Sequence, residues 1–507
     1  MTGFQQLTST AMIVFWIYFL AMVGIGIYCL KYSGGFDQFM VGNRDLGPWY
    51  LGATFFATYM SSSVMIGNCG TAYTSGMSYM WNGAVQVLCV PFGIIFLFAG
   101  LSKASKQLGV VTVPGYLKAR YLSKVPSAML GCFMVVFLFP YLIGIVKGSA
   151  NMISAVTGFT FAHSVYLILG VTALYAVVGG FMAGTITDFF QALLMCFGAT
   201  FVFVAALIHI GGLENVVTNL KAIDPILVDS PGTLGWNQLV GITFVYGFAP
   251  WGLPQLVQKG FAMRDKRVIK PCIVVVAFLL VFILFTSNAN GAIARAIYGD
   301  EFLGAQDTVF PIMVARLLPE WAQGLVLAGV TAAAMSTLDS VVLVMAGAVA
   351  NDIYKECINP KATSKTLLRI SQVAVFVVFG LLALIVAGGV GQEITFLAAF
   401  SHTMMASMCA APLFGGMFWK KGTTAGVIIS QLCGVFFALL WYAIGQPFCH
   451  FFFPAIIMSF VGYFVGSKFG KPLPEAFINE LFPAGERQKA FHWGVFNSKQ
   501  NKEIASK

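Results

Sequence analysis

The stretch Leu51–Gly76, "LGATFFATYMSSSVMIGNCGTAYTSG", has the length and apolar weight of a membrane crossing, yet Thr54, Thr58, Tyr59, Ser61, Ser62, Ser63 and Asn68 crowd its middle. Gly67 and Gly70 stand among and just after them. A single hydroxyl inside a helix can bond back to a carbonyl one turn earlier. Seven polar side chains within 15 positions exceed what such back-bonding accounts for. A second stretch of the same kind, "GITFVYGFAPWGLPQLVQ" (Gly241–Gln258), carries Gly247, Pro250, Gly252 and Pro254 within eight residues. Each proline removes an amide donor and clashes with the preceding turn. A kinked or broken helix is expected in both places, and broken helices at membrane depth line cavities.

The rest of the chain supplies the solvent for this reading. Of 507 residues 58% are hydrophobic and 9% charged, against about 25% charged residues in a soluble protein. Runs of about 20 apolar residues, enough to cross a hydrocarbon core, recur throughout. The expected fold class is therefore an all-α polytopic membrane protein. Strands of a membrane barrel would be short and alternating, which these runs are not. Thirteen segments can be marked: 9–29, 47–72, 77–101, 125–148, 158–178, 187–212, 236–258, 270–292, 322–349, 367–389, 392–414, 425–443 and 450–468. The N-terminal "MTGFQQLTST" has no positive region ahead of its apolar run, so the first segment reads as a crossing and not as a cleaved signal peptide. The ten cysteines form no CxxC pair and read as small buried hydrophobes.

An odd number of crossings puts the termini on opposite sides. With the N-terminus outside and the C-terminus cytoplasmic, 25 of the 29 Lys and Arg residues fall in or beside cytoplasmic loops, Lys31, Arg44, Lys106, Arg120, Lys259 and Lys361 among them. That follows the positive-inside rule and makes the net charge of +10 a topology signal, with no nucleic acid implied as a partner. The two irregular segments are the second and seventh, five apart. A five-segment period gives an inverted-repeat transporter core, with repeat one at about 47–212 and repeat two at about 236–414. The helices at 9–29, 425–443 and 450–468 are additions to a transporter domain spanning 1–470, and 471–507 is a cytoplasmic tail.

A third polar stretch lies in the ninth segment, "AAAMSTLDSVVLVMAGAVANDIYKE" (Ala332–Glu356). Ala333, Ser336 and Ser340 share a helix face, flanked by Thr337 and Asp339. Hydroxyls and freed carbonyls are the oxygen ligands a hard cation takes, although the same hydroxyls could bond back within their helix. An intramembrane carboxylate such as Asp339 marks function or locks neighbouring helices. Asp188, in "YAVVGGFMAGTITDFFQALLM" (Tyr175–Met195), follows a chain break at Gly179 and Gly180. It reads either as a group stabilised near a helix N-terminus or as a waypoint on an ion path.

"FMVGNRDLGPW" (39–49), "TVPGYLKARY" (112–121), "YAVVGGFMAGTITDFFQ" (175–191) and "MSTLDSVVLVMAGAVANDIY" (335–354) together resemble the motifs of the sodium:solute symporter family, in the family's order. The similarity runs from about residue 9 to 470 and is nearest to the family's sodium/pantothenate symporters. It implies a thirteen-helix inverted-repeat fold and sodium as coupling ion, with no organic cofactor and no enzymatic activity. By position it implies a sodium site from the carbonyls of Ala57, Met60 and Ala333 with the hydroxyls of Ser336 and Thr337. Asp188 then matches a position near the ion's path, and Asp339 one that supports the site from outside the ligand set. This chain departs from the pantothenate pattern at Asp339, where an Asn is usual, and in the tract around Pro250.

The expected function is sodium-coupled import of a small organic solute, pantothenate or another small carboxylate, across the plasma (inner) membrane. The alternatives are a proline or other amino-acid symporter, and a nutrient sensor with a transporter fold. Tyr59, Gln86, Tyr246, Trp251 and Gln255 are the candidate solute contacts; Tyr and Trp also serve as interface anchors and Gln86 could satisfy a helix contact. The partners implied are the solute, sodium and the lipid bilayer.

Overall fold

The computed structural model describes residues 9–29, 34–389 and 393–481. Helix is the only extended secondary structure among the described residues, as a backbone in hydrocarbon must bond within its own segment. In chain order the first helices are α1 (Ser9–Cys29), α2 (Phe36–Val41), α3 (Pro48–Tyr59), α4 (Cys69–Ser75), α5 (Met80–Leu108), α6 (Val113–Tyr121) and α7 (Lys124–Phe137). Next come α8 (Phe139–Thr157), α9 (Phe161–Ile210), α10 (Leu213–Ile223), α11 (Gly235–Phe248), α12 (Pro254–Phe261), α13 (Ile269–Tyr298) and α14 (Val309–Leu317). The last are α15 (Glu320–Gly347), α16 (Ser364–Ala387), α17 (Ile394–Phe418), α18 (Thr424–Ala443), α19 (Phe452–Phe469) and α20 (Glu475–Leu481). Of the expected tail, residues 482–507 lie outside the described residues, as does Lys31.

The expectation of thirteen transmembrane helices is corrected to ten. Among the described residues ten helical stretches are long and apolar enough to cross a membrane. The segments expected at 47–72, 158–178 and 236–258 are not among them. The first is divided: α3 ends at Tyr59, Met60 is extended (φ −87°, ψ 97°), and a π-helical turn covers Ser63–Asn68 before α4. The third is divided by a 3-10 turn at Ala249–Trp251 and by Leu253, after which Pro254 opens α12. In the second, the apolar helix Phe161–Leu174 is short, and α9 is bent sharply at Gly180 (φ 51°, ψ −144°). A Cβ at Gly180 would stand 2.8 Å from the Phe39 carbonyl oxygen, so glycine permits both the backbone angle and the contact. Breakers that sequence counting absorbs into an apolar run shorten the helix in space. The parity argument that oriented the termini falls with the count.

The centre of the molecule is α15. It packs against α9, α1, α8, α16, α3 and α12, and from Ala322 to Gly347 nearly every residue is buried. Its polar residues therefore face protein and not lipid, which removes most of the cost of placing them at membrane depth. α18 and α19 form a peripheral pair, with exposed Phe436, Ile457, Val461 and Phe464 as an apolar outer face.

The two ends of the bundle differ in charge. At one end Lys118 pairs with Glu356 at 2.7 Å, Arg44 Nε donates to Ser105 Oγ at 3.0 Å, and Lys106 donates to the Arg264 carbonyl. At the other, Lys147 pairs with Asp307 at 2.9 Å and Arg316 with Glu301 at 3.0 Å, while Arg295 meets Asp300.

Candidate functional site

The break after α3 leaves backbone carbonyls without the amide donors a continuing helix would supply. α15 faces that break with hydroxyls. Ser336 Oγ donates to the Ala57 carbonyl at 2.9 Å and lies 3.2 Å from the Ala333 carbonyl. Thr337 Oγ1 stands 3.2 Å from the carbonyls of Thr58 and Ala333, and 3.5 Å from that of Ala57. All five residues are buried. Five oxygens thus converge between two helices. Oxygens bound at about 2.4 Å and at right angles around one cation would lie about 3.4 Å apart, so the donor set fits a small hard cation. The Thr58 carbonyl was not among the expected ligands. Met60 forms the extended corner of the break, its amide donating to the Phe56 carbonyl at 2.8 Å.

Around this point lies a network the sequence reading only partly anticipated. Thr58 Oγ1 and Ser340 Oγ are 3.0 Å apart, and Lys259 Nζ donates to Ser340 Oγ at 3.1 Å. Lys259 Nζ lies 3.7 Å from Asp188 Oδ2, which accepts from Thr54 Oγ1. Asp339 faces α9, where a Cβ at Gly184 would stand 3.1 Å from its Oδ2. Asp188 is buried, 0% exposed, eight residues after the bend at Gly180.

Lys259 is the residue of this network that the sequence reading misses: counted there with the cytoplasmic loops and their margins, it is 3% exposed and its ammonium lies within the bundle. The available signal was spacing: Lys259 is four residues after Gln255, hence on the same face of a helix that begins with Pro254.

The candidate solute contacts separate into groups. Tyr59, Gln86 and Tyr246 come together: the Tyr59 hydroxyl is 2.6 Å from Gln86 Oε1 and 2.5 Å from the Tyr246 carbonyl. The Tyr246 hydroxyl donates to the Thr395 carbonyl at 3.1 Å. Next to them is His402, its ring 5.6 Å from that of Tyr246 and 4.6 Å from that of Tyr141. Trp251 instead joins Phe248, Phe414 and Phe96, with its indole N–H donating to the Cys89 carbonyl at 3.0 Å. Gln255 is buried on α12, and its Oε1 has no hydrogen-bond partner among the described residues; neither ring nitrogen of His402 has one. A buried polar group left unpaired costs about 1–3 kcal/mol, so these atoms favour a polar guest.

Comparison with known proteins gives a consistent class. The model of the sodium:solute symporter family matches residues 39–434. The chain is 26% identical over 470 residues to the sodium/pantothenate symporter of Escherichia coli (strain K12), covering 91% of this chain and 97% of that protein. It is also 26% identical over 440 residues to the osmoregulated proline transporter OpuE of Bacillus subtilis (strain 168), covering 85% and 88%. The resemblance to pantothenate carriers is therefore no closer than that to a proline carrier. Among solved structures, the substrate-bound outward-open state of a Na+-coupled sialic acid symporter superimposes with a TM-score of 0.77 at 17% identity, over 92% of this chain and 99% of that one.

Proposed function

Since this chain belongs to the sodium:solute symporter family, and so is a sodium-coupled secondary transporter of a small organic solute and not an enzyme, we propose that its coupling ion binds between α3 and α15. The ligands are the carbonyls of Ala57, Met60 and Ala333 and the hydroxyls of Ser336 and Thr337, with the Thr58 carbonyl at the rim. The observation that carries this reading is the convergence of both hydroxyls on the carbonyls freed at the α3 break, at 2.9–3.5 Å. Asp339 supports the ligands from the α9 side, and Asp188 belongs to the path next to them.

Sodium bound there draws the broken α3 segment onto α15. Tyr59 is on that same segment, two residues after Ala57, and its hydroxyl reaches Gln86 and the Tyr246 carbonyl. Ion binding and the solute pocket are thus one backbone turn apart, which gives a short physical route for coupling. By linkage, sodium raises solute affinity by the factor that solute raises sodium affinity. Alternating access then releases both on the other side. A cytoplasm-negative potential adds about 2.3 kcal/mol per charge per 100 mV to the inward step.

The solute site is built on Tyr59, Gln86 and Tyr246 with His402 beside them, Gln255 on α12 is a further candidate contact, and Trp251 wedges the break between α11 and α12. Its guest is a small polar organic molecule bearing a carboxylate. Pantothenate and proline carriers at equal identity support that class and favour neither member. The test is uptake into proteoliposomes under an inward sodium gradient with labelled organic acids, amino acids and sugars. Sodium-dependent accumulation of one carboxylate, abolished on collapsing the gradient, is the expected outcome. Binding without accumulation for every solute would instead identify a sensor.

A further inference from the structure

We propose that the ammonium of Lys259 is a built-in cation: it occupies a second cation site beside the sodium site, and so limits this carrier to one sodium at its centre. The inference rests on the sodium site proposed above and goes beyond it to the number of ions coupled.

The site is assembled from four elements. α9 contributes Asp188, α15 contributes Ser340, α3 contributes Thr54 and Thr58, and α12 contributes the ammonium itself. Lys259 Nζ lies 3.7 Å from Asp188 Oδ2 and 3.1 Å from Ser340 Oγ, which is 3.0 Å from Thr58 Oγ1. Thr54 donates to the same carboxylate oxygen. The other oxygen, Asp188 Oδ1, is buried and has no hydrogen-bond partner among the described residues. The Phe181 ring lies over the ammonium, its centroid 4.9 Å away. A cavity of about 10 Å³, bordered by Lys259, Asp339, Ser340 and Gly184, adjoins the pair, which is room for about one water.

A carboxylate and hydroxyls from several helices, with no sulfur or nitrogen ligand, form an environment suited to a hard cation. A lysine side chain long enough to reach from α12 fills it. Burying a charge costs several kcal/mol unless it is paired, so the ammonium holds its place as long as Asp188 is ionised. The sodium ligands are close by along both helices: on α3 Thr58 follows Ala57, on α15 Ser340 comes three residues after Thr337, and the Thr58 carbonyl is 3.2 Å from Thr337 Oγ1. A mobile ion entering the Asp188 position would have to displace the tethered ammonium and would meet its repulsion.

The measurement is the number of ²²Na⁺ ions bound per purified, monodisperse chain at saturation, without organic solute, together with the rise in unfolding temperature that sodium produces. Wild type and Lys259→Arg are expected to bind one. Lys259→Ala, which vacates the ammonium's place, is expected to bind two, and Lys259→Ala/Asp188→Asn to return to one. If Lys259→Ala does not give folded protein, Lys259→Gln carries the same arm, since it removes the charge while nearly keeping the volume. A folded Lys259→Ala or Lys259→Gln chain that still binds one sodium overturns the inference, as does a gain that survives Asp188→Asn. The gain from wild type to variant tests this inference. The loss of the wild-type ion in Ser336→Ala tests the sodium site on which it rests, so the two failures are distinguishable.

Discussion

Ser336 and Thr337 make the same kind of back-bond that any helical Ser or Thr can make, to the Ala333 carbonyl at 3.2 Å. What separates them from packing hydroxyls is the second set of acceptors across the interface on α3. Replacing either with Ala keeps or improves helix propensity and removes one oxygen. A loss of about 1.4 kcal/mol in ion binding raises the sodium concentration for half-saturation about tenfold. Sodium titration of folded protein checks this, and unchanged affinity in both variants would leave the pair as packing groups. Asp339→Asn keeps size and hydrogen bonding, and a smaller shift is expected than for either hydroxyl. A larger one would move the carboxylate to the centre of the ion site. Arg120 illustrates a different residue-scale role. It is 2% exposed, and its guanidinium donates to the Gly416 carbonyl at 2.7 Å and the Trp419 carbonyl at 3.1 Å, at the C-terminal end of α17. Arg120→Met leaves these acceptors unpaired, a cost of about 1–3 kcal/mol. Denaturation of the variant should show that loss with sodium affinity unaltered; a matching loss of sodium affinity would tie α17 to the ion site.

At the scale of elements, the break between α11 and α12 is held by close approach to α17. A Cβ at Gly252 would stand 3.0 Å from Ala406 Cα and 3.2 Å from both the Ala406 carbonyl oxygen and the Ala410 amide nitrogen. These are backbone atoms that cannot rotate away. Gly252→Ala is expected to destabilise the folded protein by about 1–3 kcal/mol, the usual cost of overpacking. Gly170 on α9 is the control, because nothing stands within 4 Å of its Cβ position and alanine favours the helix. Equal unfolding behaviour of the two variants would mean the break tolerates displacement. Trp251 closes the same break against α5 through the Cys89 carbonyl and Phe96. Trp251→Ala should therefore weaken solute binding more than sodium binding measured without solute. Equal loss of both would assign the indole to packing alone.

For the whole molecule, contacts across the bundle sort the loops by side without any count of crossings. Phe36 donates its amide to Ser364 Oγ at 3.0 Å, Arg44 reaches Ser105, and Lys106 reaches the Arg264 carbonyl, so the loops near residues 106, 266 and 361 share one end. Tyr73 bonds the Gly299 carbonyl at 2.6 Å, and Trp81 bonds Ser230 at 3.2 Å, which puts the loops near 229 and 304 at the other. The basic end is expected to be cytoplasmic. Impermeant labelling of single cysteines at 229 and 304 in a cysteine-free background should proceed from outside intact cells, and at 266 and 361 only after permeabilisation. Labelling of 266 and 361 from opposite sides would break this assignment.

Membrane class and the location of the irregular segments were legible in the residues themselves. Long apolar runs have no other favourable solvent than lipid, and Pro250 or Pro254 lacks the amide a continuing helix needs wherever the chain goes. The hydroxyl pair on α15 was likewise legible as a polar interruption, and its family resemblance pointed to the ion. The number of long crossings was not, because hydropathy adds up over a run whether or not the helix is divided within it, as at Met60 and at Gly252. Nor was the fate of individual charges. Lys259 and Lys266 are seven residues apart and the same residue type, yet one is buried against Asp188 and the other lies at the exposed start of the turn before α13. Which of them meets water depends on where α9, α15 and α3 pass α12. Those neighbours are remote in sequence, so only the tertiary structure sets the ion pair that fills the centre of this protein.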